Sequence, residues 1–406
     1  MRIAYIAPYQ GPGLLEQRQL LNNVGLAANV KMELIAELLQ QSGHTIEIVS
    51  QGEIVDRRTK FYPAFREPKP FSAAVPVFYG SALPIKRING IWPTLSTLRL
   101  FRRRHHARPF DLVIVYNLKL PQIICGLYAL RLGLPVVLEY EDDSFVDIAG
   151  NSEHGKKVAI DLRLARKLLN RLSGCIGVSP FLLTRVSSPV PKMLLRGVVG
   201  ENLVKLATET TTRNHWVVFS GTHTETKGLE QLLRAWNLVD LPDWELHVAG
   251  YGRKTEEFKK IAAGDKTVVF HGSLDRDQNA LLLSRAKIGM NPHDLSATPG
   301  NVFAFKIIEY LAAGNHVIST PMGPLESELE AGMTYIPDNT PQTIAAALQK
   351  VIRDRAYERT AAQAAWNTYG PAAVAKSLNM LLGQVVAFTD HGRAVSSPAY
   401  AERAAR

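Results

Sequence analysis

The sequence predicts an α/β protein built from two doubly wound domains. Three observations lead there. Short, near-continuous apolar runs alternate with amphipathic helical patterns, as in parallel strands covered on both faces. The alternation occurs twice along the chain. And 406 residues are too many for one ordinary domain.

In the first half, Arg2–Ala7, Thr45–Ser50, Asp111–Tyr116, Pro135–Tyr140 and Gly174–Val178 each read as a buried strand. Between the first two lies a helix whose Val30, Leu34 and Leu38 stack at four-residue spacing beside Ile35 and Leu39. Gly43 ends it and His44 leads into the next strand. Residues 51–109 hold seven prolines and little periodicity, which predicts a strand or two and long loops where an acceptor docks. The second half offers strands at Trp216–Ser220, Glu245–Ala249, Val268–His271, Ile288–Asn291 and His316–Thr320. Helices are expected over Gly228–Asn237 and Asp277–Ala286. Between Gly200 and Asn214 the periodicity lapses into threonine-rich polar sequence, which predicts the domain boundary. In such sheets ligands bind at the carboxyl ends of the strands, so two facing domains would enclose a ligand in a cleft.

Apolar residues make up 46% of the chain, enough for two cores, and the formal charge of +10 suits anionic partners. Cys125 and Cys175 stand in apolar settings and read as buried thiols of a reducing compartment. Ile3–Ala7 is too short for a signal h-region, and no run approaches the roughly 18 apolar residues of a membrane span. The expected setting is the cytoplasm, with peripheral contact to the inner face of a membrane. No nucleic-acid module or aromatic-interleaved basic strand is present, so nucleic acid is not an expected partner.

The stretch Thr298–Gly314 carries most chemistry. A Pro-Gly turn leads into an apolar helix whose first amides, Gly300, Asn301 and Val302, would face an anion, above all a phosphate. Lys306 and Glu309 lie three apart on one flank. Lys306 either reaches a phosphate or donor sugar or pairs with Glu309; the spacing fits both. A glutamate at this depth accepts hydrogen bonds from sugar hydroxyls. Together these residues describe a nucleotide-sugar pocket.

The second half resembles glycosyltransferase family 4, whose members adopt the GT-B fold of two Rossmann-like domains facing across a cleft. The resemblance rests on Phe219-Ser220-Gly221, Lys227-Gly228, Ala249-Gly250-Tyr251-Gly252, Val269-Phe270-His271-Gly272 and Phe305–Gly314, in the family's order. It implies an acceptor-side domain over residues 1–205 and a nucleotide-sugar domain over 206–370. A C-terminal helix over 371–388 would pack back on the first domain, and 389–406 would be a disordered tail.

The same resemblance implies site residues. Gly221 to Gly228 would be a phosphate loop, with Thr222 where similar sequences often carry arginine and Lys227 neutralising the diphosphate. Alternatively Lys227 is a solvated lysine near a helix start. Glu309 matches the glutamate that binds ribose, and Asn301 stands where another glutamate is expected, beside the sugar. Gly250, Gly252 and Gly272 would lie near the base, although plain turns explain them too. Glu139–Asp143 ends a predicted strand. Glu141 (often histidine in similar sequences) and Asp142 would position the acceptor hydroxyl or balance charge on the sugar, unless the cluster is a solvated acidic loop. Gly11 and Gly13 lie in a loop that would pass close to donor or acceptor, or form a simple turn. The basic run Arg102–Arg104 follows Ile91, Leu95, Leu98 and Phe101; that helix would lie on an anionic bilayer or end in solvated charge, with Arg163, Arg166, Lys167 and Arg171 adding to the same surface.

The reaction implied is transfer of a sugar from a nucleotide-diphosphate donor to a hydroxyl of a saccharide or lipid-linked acceptor, with retention and with neither metal nor further cofactor. Three rivals stay open. They are an epimerase or phosphorylase of the same fold, a non-catalytic nucleotide-sugar binder, and a membrane-surface scaffold.

Overall fold

The computed structural model describes residues 1–18, 26–52, 60–71, 73–83, 91–142, 155–296 and 303–395. The chain divides into two units, Met1–Leu195 with Ala375–Arg406, and Arg196–Val374. Residues 201–209, inside the segment where a boundary is expected from sequence, form a helix of the second unit with Leu203 and Ala207 buried.

The first unit opens with β1 (Arg2–Ile6), α1 (Pro12–Arg18), α2 (Leu26–Gln41) and β2 (Thr45–Ser50). Short strands β3 (Phe65–Glu67) and β4 (Val77–Tyr79) lead to α3 (Ile91–Ala107). Then come β5 (Leu112–Tyr116), α4 (Leu120–Arg131), β6 (Val136–Tyr140), α5 (Gly155–Leu169), β7 (Gly174–Gly177), α6 (Pro180–Arg185) and β8 (Lys192–Leu194). The strands form one sheet in the order β3-β4-β2-β1-β5-β6-β7-β8. All pair in parallel except β3 with β4. Every residue of β1, β5, β6 and β7 is buried, which is why these segments read as unbroken apolar runs.

The second unit runs α7 (Glu201–Glu209), β9 (Trp216–Ser220), α8 (Leu229–Trp236), β10 (Glu245–Ala249), α9 (Thr255–Ile261), β11 (Val268–Gly272), α10 (Arg276–Arg285) and β12 (Ile288–Asn291). It continues with α11 (Lys306–Ala312), β13 (His316–Ser319), α12 (Ser327–Glu330), β14 (Met333–Tyr335), α13 (Pro341–Arg353) and α14 (Ala362–Tyr369). Its sheet is wholly parallel, in the order β11-β10-β9-β12-β13-β14. Its core joins Val217 and Phe219 of β9, Leu246 and Val248 of β10, and Leu229, Leu232 and Leu348 of the flanking helices.

All ten strands expected from sequence are present within a residue of their expected limits. The three-residue strands β8 and β14 were not expected, being too short to show a pattern. The last helix, α15 (Pro371–Val395), runs through residues 389–395, which the sequence reading assigned to a disordered tail. No proline interrupts it before Pro398. Its stripe Leu378, Leu381, Leu382 and Val385 is buried, Val385 meets Gly174, and Asn379 donates to Ser42 Oγ at 2.8 Å. By length and composition residues 362–390 could also cross a membrane, which scanning for an unbroken apolar run did not reveal.

Candidate functional site

In both sheets the strand order reverses beside the first strand of the unit, at β1/β5 and at β9/β12. Such a switch point opens a crevice at the carboxyl edge, where ligands bind in α/β sheets.

In the second unit, Gly221 follows β9 and a single 3-10 turn, Glu225–Lys227, ends the loop. Gly228 then adopts φ 74°, and a Cβ there would lie 1.7 Å from the Pro292 carbonyl oxygen, so only glycine fits. This close approach sets Lys227 against the end of β12. Its Nζ lies 3.0 Å from His293 Nε2. A lysine ammonium can only donate, so His293 accepts at Nε2 and turns Nδ1–H toward the Asp294 carbonyl, 3.4 Å away. Burial, then Lys227 and Lys306, push His293 down to about 4, so the ring is neutral near pH 7.

Lys306 begins α11. Its Nζ is buried without a hydrogen bond, 3.9 Å from the Phe219 ring centroid and 3.5 Å from where a side chain on Gly221 would start. Burial, reinforced by Lys227, drives its pKa well below the ordinary value. It makes no hydrogen bond to Glu309, although the two charges still act on one another. The Glu309 carboxyl is desolvated as well, raised to about 7 by burial against an opposing pull from Lys306. The loop after β10 closes the group from the side. A Cβ on Gly250 would lie 1.9 Å from the Gly221 carbonyl oxygen, and the Gly250 amide donates to the Gly272 carbonyl at 2.7 Å. Gly252 packs on the His223 backbone, and Thr222 is exposed. The sum is a group of two lysines and two neutral histidines (His223 is also pushed down to about 4 by burial) beside the buried Glu309 carboxyl. Such a cluster of cationic and donor groups is chemically suited to an anion.

One expectation needs correction. The helix does not open at Gly300–Val302: Phe303 and Ala304 are non-helical, and the first helical residue is Lys306. The segment is drawn out of the helix because Phe303 is buried with the Arg196 guanidinium 5.6 Å above its ring, and Phe305 lies on Gly197. Gly300, Asn301 and Val302 themselves lie outside the described residues.

In the first unit Glu139 and Glu141 of the acidic segment are not solvated, and Asp143 lies outside the described residues. Glu139 is fully buried and bonded by the Tyr5 hydroxyl, and burial followed by the nearby Glu141 raises its pKa to about 7. Glu141 is gripped by Lys31 of α2, whose Nζ also donates to the Leu195 carbonyl at 2.9 Å. Burial nevertheless keeps Glu141 above the ordinary carboxyl value. Asn117, in left-handed backbone at φ 57°, accepts from the amides of Glu141 and Asp142 through Oδ1 at 2.6 and 3.0 Å. Asp142 is exposed. The Gly11 and Gly13 amides are already engaged, by Tyr79 Oη at 3.0 Å and Glu67 Oε1 at 2.9 Å, so these glycines serve packing of their loop rather than offering free donors.

Sequence reasoning missed Lys31, Asn117, His223 and His293. His293 had a signal, since it follows a predicted strand at its ligand end. So had Lys31, a charged residue in line with Ile35 and Leu38 on the apolar face of α2. Asn117 and His223 had none.

Two family models match the chain, "Glycosyl transferase 4-like domain" over residues 27–188 and "Glycosyl transferases group 1" over 214–354. The protein is a glycosyltransferase of the GT-B fold. The first match spans Lys31, Asn117, Glu139 and Glu141, and the second spans Lys227, His293, Lys306 and Glu309. Solved structures agree in fold. Sucrose-phosphate synthase from Thermosynechococcus elongatus superposes with a TM-score of 0.68 at 18% identity, covering 95% of this chain and 100% of that one. A glycosyltransferase from Rickettsia africae gives 0.62 at 12% identity, covering 95% and 98%. Anabaena HepE, in complex with UDP-glucose, gives 0.60 at 14% identity, covering 94% and 99%. No curated protein matches this transferase in sequence.

Proposed function

We propose that this transferase moves a sugar from a nucleoside-diphosphate sugar to an acceptor hydroxyl, with retention of configuration as in glycosyltransferase family 4. The carrying observation is the Lys306 amine, buried beside Lys227 without a hydrogen bond. A diphosphate supplies the missing acceptors and the missing negative charge. As the sugar–oxygen bond breaks, charge grows on the β-phosphate, and the two lysines stabilise the departing diphosphate. Glu309, as a carboxylate, accepts from the ribose hydroxyls, and backbone at Gly250–Gly252 and Gly272 borders the base. The complex of HepE with UDP-glucose supports a donor of this class. Glu141 and Asp142 serve the acceptor side, and Asn301 the sugar. The acceptor is a saccharide, free or lipid-linked, met in the cytoplasm or on the inner face of an anionic membrane.

A thermal-shift screen against UDP-, GDP-, ADP- and TDP-sugars tests the donor, because a ligand of the native state raises its melting temperature. A shift by none of them would remove the reading. Product formed without acceptor, or only with inorganic phosphate, would move the assignment to an epimerase or phosphorylase. A second test concerns Lys306. Lys306→Met should weaken donor binding about ten- to hundredfold, the worth of a charge-assisted hydrogen bond, without lowering the melting temperature of the free protein. A purely structural lysine would give the reverse pattern.

A further inference from the structure

The outer surface of the first unit carries a feature the donor site does not use. Helices α3, α4 and α5 lie side by side on one face of the sheet. Both α3 (from β4 to β5) and α5 (from β6 to β7) connect parallel strands of one sheet, so each runs against the strand direction, its first turns at the carboxyl edge. For α3 the contacts bear this out. Ser96 meets Ser81, just past β4, whereas Arg104 reaches Glu47 near the start of β2.

On α3, and on α5 from residue 160 onward, exposed apolar side chains precede exposed basic ones. On α3, Ile91 and Leu95 are 58% and 59% exposed, and the same stripe continues as Arg99, Arg102 and Arg103. On α5, Ile160 is 60% exposed and is followed by exposed Arg163, Arg166 and Lys167. Phe61, 52% exposed, sets its ring edge against Trp92 and widens the apolar end. Of the basic run 102–104, Arg104 is committed elsewhere. Burial would raise the Glu47 carboxyl, but Arg104 and Arg2 bond it and hold it below its ordinary value.

We propose that this face docks on an anionic lipid bilayer, Phe61, Ile91, Leu95 and Ile160 entering the headgroup boundary while the arginines of α3 and α5 meet the phosphates. Large apolar side chains held in water at one end of a cationic surface match the polarity profile of an anionic leaflet. The orientation follows from the helices: the apolar end is the carboxyl edge of the sheet, the edge that holds Glu141 and Asp142. The membrane contact rests on this surface alone. Only its use for a lipid-linked acceptor rests on the acceptor proposed above.

Co-flotation of the full chain with vesicles decides it. Binding is expected to equal mixtures of phosphatidylcholine and phosphatidylglycerol, and not to phosphatidylcholine alone. Arg102→Glu/Arg103→Glu/Arg163→Glu should reduce binding by at least about fivefold per arginine, since each is worth about that factor near an anionic surface. Ile91→Ser/Leu95→Ser should leave binding that added salt fully reverses. All these sites are exposed, and transfer to a soluble saccharide acceptor should be unchanged. Absence of binding to the anionic vesicles, or full binding by the triple variant, overturns the proposal. So does capture of RNA, but not of vesicles, through the same arginines. Loss of transfer in the unaltered protein would count against the transferase reading and not against this one.

Discussion

Replacing Lys227 with alanine is expected to lower the rate of sugar transfer by about 10²–10³-fold, the usual loss when one preorganised donor to a developing anion is removed. The fold should survive. Lys227 ends a surface loop, and its side chain is only partly buried. What changes is local electrostatics. Lys227 donates to His293 and is the second cause, after burial, of the depressed pKa of Lys306. In the variant, His293 should therefore titrate above about 4, readable by NMR of the ring protons. Steady-state kinetics with matched melting curves check the main claim. An unaltered turnover number would exclude Lys227 from the site.

The largest effect on stability is expected from Lys31→Met. The Lys31–Glu141 pair is buried, with side chains 2% and 13% exposed. Removing one member of such a pair costs about 3–5 kcal/mol, because the other charge stays behind without compensation. The melting transition of the first unit should fall by on the order of 10 °C. The pH dependence has a definite sign. Burial already raises Glu141 above its ordinary 4.5, and Lys31 is the main group pulling it down. Without Lys31 the folded-state pKa rises further, so the folded variant holds its proton more tightly than the unfolded chain. The Glu141 contribution to its stability is fully present below pH 4.5 and is lost as pH climbs through the elevated value. The gap to the unaltered protein should thus close in acid and widen toward neutrality. A gap that stays constant with pH would mean that Lys31 acts by packing alone.

Much of the architecture could be read from the sequence. Parallel strands covered on both faces leave unbroken apolar runs, so β1, β5, β6 and β7 declare themselves, and the glycine turns after β9 and β10 mark a ligand edge. Lys306 and Glu309 stood out by their three-residue spacing after a Pro-Gly turn, and Lys227 by the resemblance to glycosyltransferase family 4. The start of α11 was misplaced because a Pro-Gly turn before an apolar run looks like a helix entry. Burial of Phe303 under Arg196 is a contact between residues about a hundred positions apart, which no local pattern records.

What the sequence determined on its own is the alternation of strands and helices, the doubling of that plan and the residue types available at each strand end. Local propensity and apolar period act over a few residues and survive in one dimension. What only the tertiary structure decided is the state of the charges. Whether Lys306 pairs with Glu309 or waits without a hydrogen bond depends on desolvation, a property of everything packed around it. Whether Glu141 is solvated or clasped by Lys31 depends on a contact spanning α2 and the end of β6. Burial sets these energies, and burial exists only once the chain has folded.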